Sequence, residues 1–218
     1  SQVNDMSYMF CECNNLLNVE LSNFDTKKVT DFYYMFANDY FLTSLDLSNF
    51  ETILVEDTAH MFDGCERLSN LKMDKFDLVK VNDISYMFHN CKRLESINLK
   101  NFKSIEIMNM KMAFAYCAKI TSLDLSSFDT SNVLSMNGMF QGDILLESVD
   151  LSSFNTINVL DMGNMFIDCQ KLKYLDLSNF VTKKLVKMSF MFSSCNSLET
   201  LRLDSFITSE IEDMSNLF

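Results

Sequence analysis

Hydrophobic and polar positions along the chain form one phrase, repeated. Residues 172–197 show it as L-K-Y-L-D-L-S-N-F-V-T-K-K-L-V-K-M-S-F-M-F-S-S-C-N-S, with landmarks L-x-x-L-x-L-x-x-F and then M-x-x-M-F-x-x-C. One phenylalanine ladder runs Phe10, Phe36, Phe62, Phe88, Phe114, Phe140, Phe166, Phe192 and Phe218, always 26 residues apart. A second keeps the same step through Phe24, Phe50, Phe76, Phe102, Phe128, Phe154, Phe180 and Phe206. Together they hold 17 of the 20 phenylalanines, so the aromatic content is architectural. A fixed period in this range is the mark of a solenoid.

Each unit switches period once. Val19 and Leu21 alternate with Asn18, Glu20 and Ser22, the spacing of a half-buried strand. The same anchors return at Leu45/Leu47, Leu71/Met73, Ile97/Leu99, Leu123/Leu125, Val149/Leu151, Leu175/Leu177 and Leu201/Leu203. Eight parallel strands would make a sheet on the order of 40 Å long. Met6, Met9, Phe10 and Cys13 stand at i, i+3, i+4 and i+7, which predicts a short helix. Between the two lies S-N-F-D-T, with the Asp and Thr chemistry of a turn. V-T-D-F and its equivalents predict a short extended edge, whose Asp (Asp31, Asp57, Asp83, Asp161, Asp213) is placed to cap the helix. The most irregular stretch is Ile105–Met112.

The expected architecture is an α/β solenoid with a parallel sheet on one face and short helices on the other. Right-handed coiling follows from the preference of crossovers between parallel strands. Residues 1–218 are expected to form a single domain of about eight repeats. Both ends cut through a repeat, so a piece of a longer array is expected, open to end-to-end self-association without polar caps.

Composition narrows the function. The chain has no proline and four glycines, so no linker divides it. A net charge of −12 disfavours nucleic acid and anionic lipid as partners. No apolar run reaches the length of a membrane span, and no export signal opens the chain.

Cys13, Cys65, Cys91, Cys117, Cys169 and Cys195 share one repeat position, where Asp39 and Asp143 take the other two places, and Cys11 is extra. The odd count and these gaps point to buried reduced thiols rather than disulfides or a zinc site. His60 and His89 occupy different repeat positions with no matching nucleophile, so no enzyme and no cofactor are expected. The methionines of the helical segment read as core.

The outward positions between strand anchors run Glu20, Asp46, Lys72, Asn98, Asp124, Asp150, Asp176 and Arg202. Like charges at strand spacing repel, so the acidic row costs stability unless something offsets it. A basic protein partner, a bound calcium ion, or plain solubility of an exposed face would each account for it. Tyr174 beside Asp176 and Arg202 favours a partner, with Asp124, Asp150, Asp176, Arg202 and Tyr174 as the contact set.

The motif Leu42-Thr-Ser-Leu45-Asp-Leu47 resembles a leucine-rich repeat. The fuller pattern L-D-L-S-N-F-D-T…V-x-D-M-S-x-M-F-x-x-C-x-x-L resembles the BspA-like repeats of bacterial surface proteins, over the whole chain. That resemblance implies a cell-surface or secreted protein that binds proteins or host molecules without catalysis. The runner-up is a structural spacer that displays another domain. Phe24 and its equivalents replace the usual Asn or Cys, which implies phenylalanine stacking in place of an asparagine ladder.

Overall fold

The computed structural model describes residues 2–103 and 105–218. Among the described residues there are four strands: β1 (Ser44–Asp46), β2 (Asn70–Lys72), β3 (Tyr174–Asp176) and β4 (Thr200–Arg202). β1 pairs with β2 and β3 with β4, both parallel, each residue opposite its equivalent 26 positions on. Of the eight expected strands, those at Val19/Leu21, Ile97/Leu99, Leu123/Leu125 and Val149/Leu151 do not form among the described residues. The outward pairs of the strands that do form are Asp46↔Lys72 and Asp176↔Arg202, opposite in sign, with ion pairs of 3.2 and 3.3 Å. The coils between carry Asn98, Asp124 and Asp150 outward, with no such pair among the described residues.

No α-helix forms among the described residues, which corrects the expected helical face. The M-x-x-M-F-x-x-C segment is instead a run of turns that hydrogen-bonds to the next coil. Alternate N–H groups reach forward: Met6 to Asp31 O, Tyr8 to Tyr33 O, Phe10 to Met35 O and Glu12 to Ala37 O, at 2.8–3.1 Å. The intervening groups close turns locally, Met9 to Met6 O, Cys11 to Tyr8 O and Cys13 to Phe10 O. Apolar residues at i, i+3 and i+4 thus face inward as in a helix, but half of their backbone bonds lie between coils.

These turns demand left-handed backbone. Tyr8, Tyr34, His60, Tyr86, Met112, Gly138, Asn164, Phe190 and Asn216 all have φ between 50° and 62°. A second left-handed position runs from Glu12 through Asn38, Gly64, Asn90, Tyr116, Gly142, Asp168 and Ser194. Such a φ at the third residue of a turn is the type II arrangement, and it is costly for bulky residues. Inter-coil bonds and ring stacking hold it: Tyr8 on Tyr34 at 5.1 Å, Tyr34 on His60 at 4.2 Å, His60 on Tyr86 at 4.4 Å.

The extended edge appears as parallel bridges from Asp5↔Asp31 to Lys187↔Asp213, one per coil. Its aspartates cap no helix. Asp31 Oδ1 accepts the N–H of Tyr33 and Asp57 that of Ala59, each at 2.7 Å, closing turns two residues on.

Phe36 to Phe192 and Phe50 to Phe180 of the two ladders are buried, Phe10, Phe24 and Phe206 are partly so, and Phe218 at the end is 73% exposed. Phe36, Phe62, Phe88, Phe114, Phe140 and Phe166 stack at 5.4–6.2 Å. Phenylalanine does not work alone, however. Thr52, Thr130, Thr156 and Thr182 are buried, and each hydroxyl both donates to a carbonyl and accepts an N–H of the following coil. Asn49 and Asn179 each donate to three carbonyls of the preceding coil. A polar ladder is therefore present after all, one residue before and two after the phenylalanine.

Candidate functional site

The strand face carries the expected contact set, and the fold uses its carboxylates before any partner can. Asp124, Asp150 and Asp176 each accept the N–H two residues on, from Ser126, Ser152 and Ser178, at 2.9–3.1 Å. The Ser126, Ser152 and Ser178 hydrogen bonds hold all three carboxyls below the usual carboxylate range. The acidic row is thus partly a row of turn locks, which offsets its own repulsion.

The five residues do not form one cluster. Asp150, Tyr174 and Asp176 line an open groove of about 410 Å³ with Ser148, Val149, Leu151, Ser152, Ser178 and Asn179. Tyr174 is half exposed, and its hydroxyl donates to Asp176 Oδ2 at 3.1 Å. Arg202 is outside the lining and donates to Asp176 at 3.3 Å and to Asp204 at 3.1 Å. Asp124 stands outside this groove. Asp176 is therefore already paired, whereas Asp150 enters no ion pair among the described residues. The residue missed from the sequence is Asp204, two positions after Arg202 and within reach of its guanidinium.

The turn face holds a second constellation. Asp63 Oδ2 accepts from His60 Nδ1 and its Oδ1 from His89 Nδ1, both at 2.7 Å, so the histidines expected to stand apart share one carboxylate. The signal was in the spacing: Asp63 lies three residues after His60 and one 26-residue step before His89. These two hydrogen bonds lower the Asp63 pKa against the opposing effect of burial. No group of three or more His, Cys, Asp or Glu among the described residues is arranged to hold a metal ion.

The cysteines are free. Cys65, Cys91, Cys117, Cys169 and Cys195 each donate the thiol to the carbonyl 29 residues earlier, at 3.0–3.3 Å. Burial pushes the thiols of Cys65, Cys91, Cys117 and Cys169 well up, which leaves them poor nucleophiles. At the same repeat position Asp39 and Asp143 each accept one N–H, from Cys13 and Cys117, while each Oδ2 is buried without a partner.

Ladders of inter-coil bonds in register at 26 residues, around one stacked core, define a solenoid repeat protein. The chain belongs to the family described as "Mycoplasma protein of unknown function, DUF285", whose model matches residues 1–102 and 108–218. The break between the matches falls beside the irregular stretch at Ile105–Met112. No curated protein matches the chain. Among solved structures it is similar to a chain of the Drosophila Toll–Spätzle complex, at 16% identity and a TM-score of 0.42, covering 94% of this chain and 29% of that one. A leucine-rich repeat protein from Bacteroides ovatus gives 14% and 0.39, covering 90% of this chain and 69% of that one. A leucine-rich cell surface protein from Faecalibacterium prausnitzii gives 15% and 0.32, covering 92% and 76%. These scores are low, and the architecture rests on this chain's own ladders.

Proposed function

We propose that the chain is a non-enzymatic protein-interaction module that binds a basic partner on its strand face. The observation that carries this reading is the groove in which Asp150, Tyr174 and Asp176 converge. A rigid repeat presents these groups at fixed spacing, so little ordering is lost on binding, and tyrosine is well suited to anchor a contact. Asp150 supplies negative charge without a cation of its own, beside the half-exposed ring of Tyr174. The resemblance to BspA-like repeats supports placing the protein at a bacterial surface or outside the cell, where an adhesive role toward a host protein fits. The same resemblance, with the low reactivity of the buried thiols, supports a role without catalysis or cofactor.

The test is titration of the protein with lysine- and arginine-rich peptides and with their acidic counterparts. Binding of the basic series should weaken as salt rises and fall sharply in Tyr174→Ala/Asp150→Asn. Equal binding by the double variant would remove the site from this face. No binding of either series would favour a spacer that displays another domain.

A further inference from the structure

The edge between the strand face and the turn face carries two outward columns, the second of which also holds bonds within the chain: Asn132 Nδ2 donates to Ile105 O, Asn158 Nδ2 to Ser131 O and Lys184 Nζ to Asn158 Oδ1. One runs Asn82, Met108, Leu134, Leu160, Val186 and Glu212, each residue from Met108 onward donating its N–H to the carbonyl of the one before at 2.8–2.9 Å. The other runs Lys80, Glu106, Asn132, Asn158, Lys184 and Glu210. Between them Ile107, Val133, Val159 and Leu185 point inward and are fully buried or nearly so. Met108, Leu134 and Leu160 remain 47%, 44% and 42% exposed, a continuous apolar stripe at one residue per coil.

The columns share a face. An open groove of about 460 Å³ is lined by Asn82, Glu106, Met108, Asn132, Leu134 and Asn158. A second groove of about 420 Å³ lies further along, with Leu160, Lys184, Val186 and Glu212 in its walls.

We infer that this edge is a two-fold interface with a second copy of this chain, the two copies running antiparallel. Take a two-fold axis in the plane of the face, perpendicular to the long axis, midway between the coils of Leu134 and Leu160. Each column then meets its own copy in reverse order. Leu134 faces Leu160, Met108 faces Val186, and Asn132 faces Asn158. Glu106 faces Lys184 and Lys80 faces Glu210, so both charged pairs are opposite in sign. The two grooves exchange under the same operation. Other arrangements lose the match. A shift by one coil sets Lys80 on Lys184, and a parallel pairing about the long axis sets Glu106 and Lys184 on the apolar column. An isologous contact has to be complementary to itself, and this edge is so in one register. The interface leaves the strand-face groove uncovered and does not rest on the reading given to that groove.

Sedimentation of the chain across a wide concentration range tests the inference. A monomer–dimer equilibrium that closes at the dimer is expected. Leu160→Asp should leave a folded monomer, with circular dichroism confirming the fold. Glu106→Lys and Lys184→Glu alone should each weaken the dimer by about tenfold or more, since like charges then meet twice across the axis. Combined in one chain, the two substitutions should restore association. A wild type that stays monomeric throughout overturns the inference. So does a dimer, or an open-ended polymer, that is indifferent to Leu160→Asp and to the charge exchange.

Discussion

The strand face and the turn face are built from the same coils yet differ in continuity. The strand face pairs regularly only at β1–β2 and β3–β4, where the outward charges attract. The turn face repeats four forward backbone bonds in coil after coil, as from Phe32, Tyr34, Phe36 and Asn38 and again from Met136, Gly138, Phe140 and Gly142. It does so through residues whose φ values are unfavourable in isolation. The difference teaches that the turns, rather than the sheet, hold the array in register, and that the strand face is thereby free to carry charge.

Breaking the turn face should cost most. Phe114→Ala removes a fully buried ring stacked between Phe88 and Phe140 at 5.6 and 6.2 Å. A loss of about 3–5 kcal/mol is expected from the missing contacts and the cavity. A chemical-denaturation midpoint equal to that of wild type would refute the central role of the ladder.

The next effect concerns pH and the two carboxyls in the thiol column. Burial pushes Asp39 up to about 7 and Asp143 well up, from a usual 3.8. Each Oδ2 lacks a partner while charged. Protonated, it becomes a donor, as the cysteines of that column are, and the equivalent acceptor for Asp143 is the Phe114 carbonyl. A raised folded pKa means that the stabilising contribution is full below the unfolded value and is lost as pH rises through the folded one. For Asp39 that window runs from about 4 to about 7, at a cost of at most about 4 kcal/mol. The Asp124, Asp150 and Asp176 locks act oppositely, being lost on acidification below the usual carboxylate range. Denaturation midpoints should therefore fall between mildly acidic and neutral pH, and Asp39→Asn with Asp143→Asn should flatten that fall. An equal slope in the double variant would show that both groups are charged in the fold.

The smallest effect sharpens the comparison from the other side. Tyr174→Ala/Asp176→Ala alters exposed or partly exposed strand-face groups and should change stability by no more than about 1 kcal/mol, mostly through the lost turn lock. A loss as large as that of Phe114→Ala would mean that the strand face shares in holding the register.

Much of this was legible in the sequence. The 26-residue step gives the coil, and the inward residues Leu45, Phe50, Val55 and Phe62 are buried as their alternation implies. The turn face was misread because apolar spacing at i, i+3 and i+4 reports which side chains face inward. It does not report whether an N–H bonds within its own turn or to a neighbouring coil. Tyr8 and His60 at left-handed positions carry no glycine to betray the turn, since the neighbouring coil rather than local preference sets their φ. Of the site, the Asp–Arg pairing was readable from the repeat register. The Ser126, Ser152 and Ser178 locks were not, because they depend on side-chain reach around turns, and the helical reading hid the sharing of Asp63 that the spacing of His60, Asp63 and His89 signalled.

The forward bonds of the turn face also have an electrical consequence. Every such N–H points toward the later coil and every partnering C=O toward the earlier one. Peptide dipoles of about 3.5 D aligned in this way add along the row. Here the positive pole lies toward the later coils, opposite in sense to an α-helix. Each coil added lengthens the row, so the turn face is polarised along its length by its backbone alone, while the edge row from Asn82 to Glu212, whose N–H groups point to the earlier coil, opposes it.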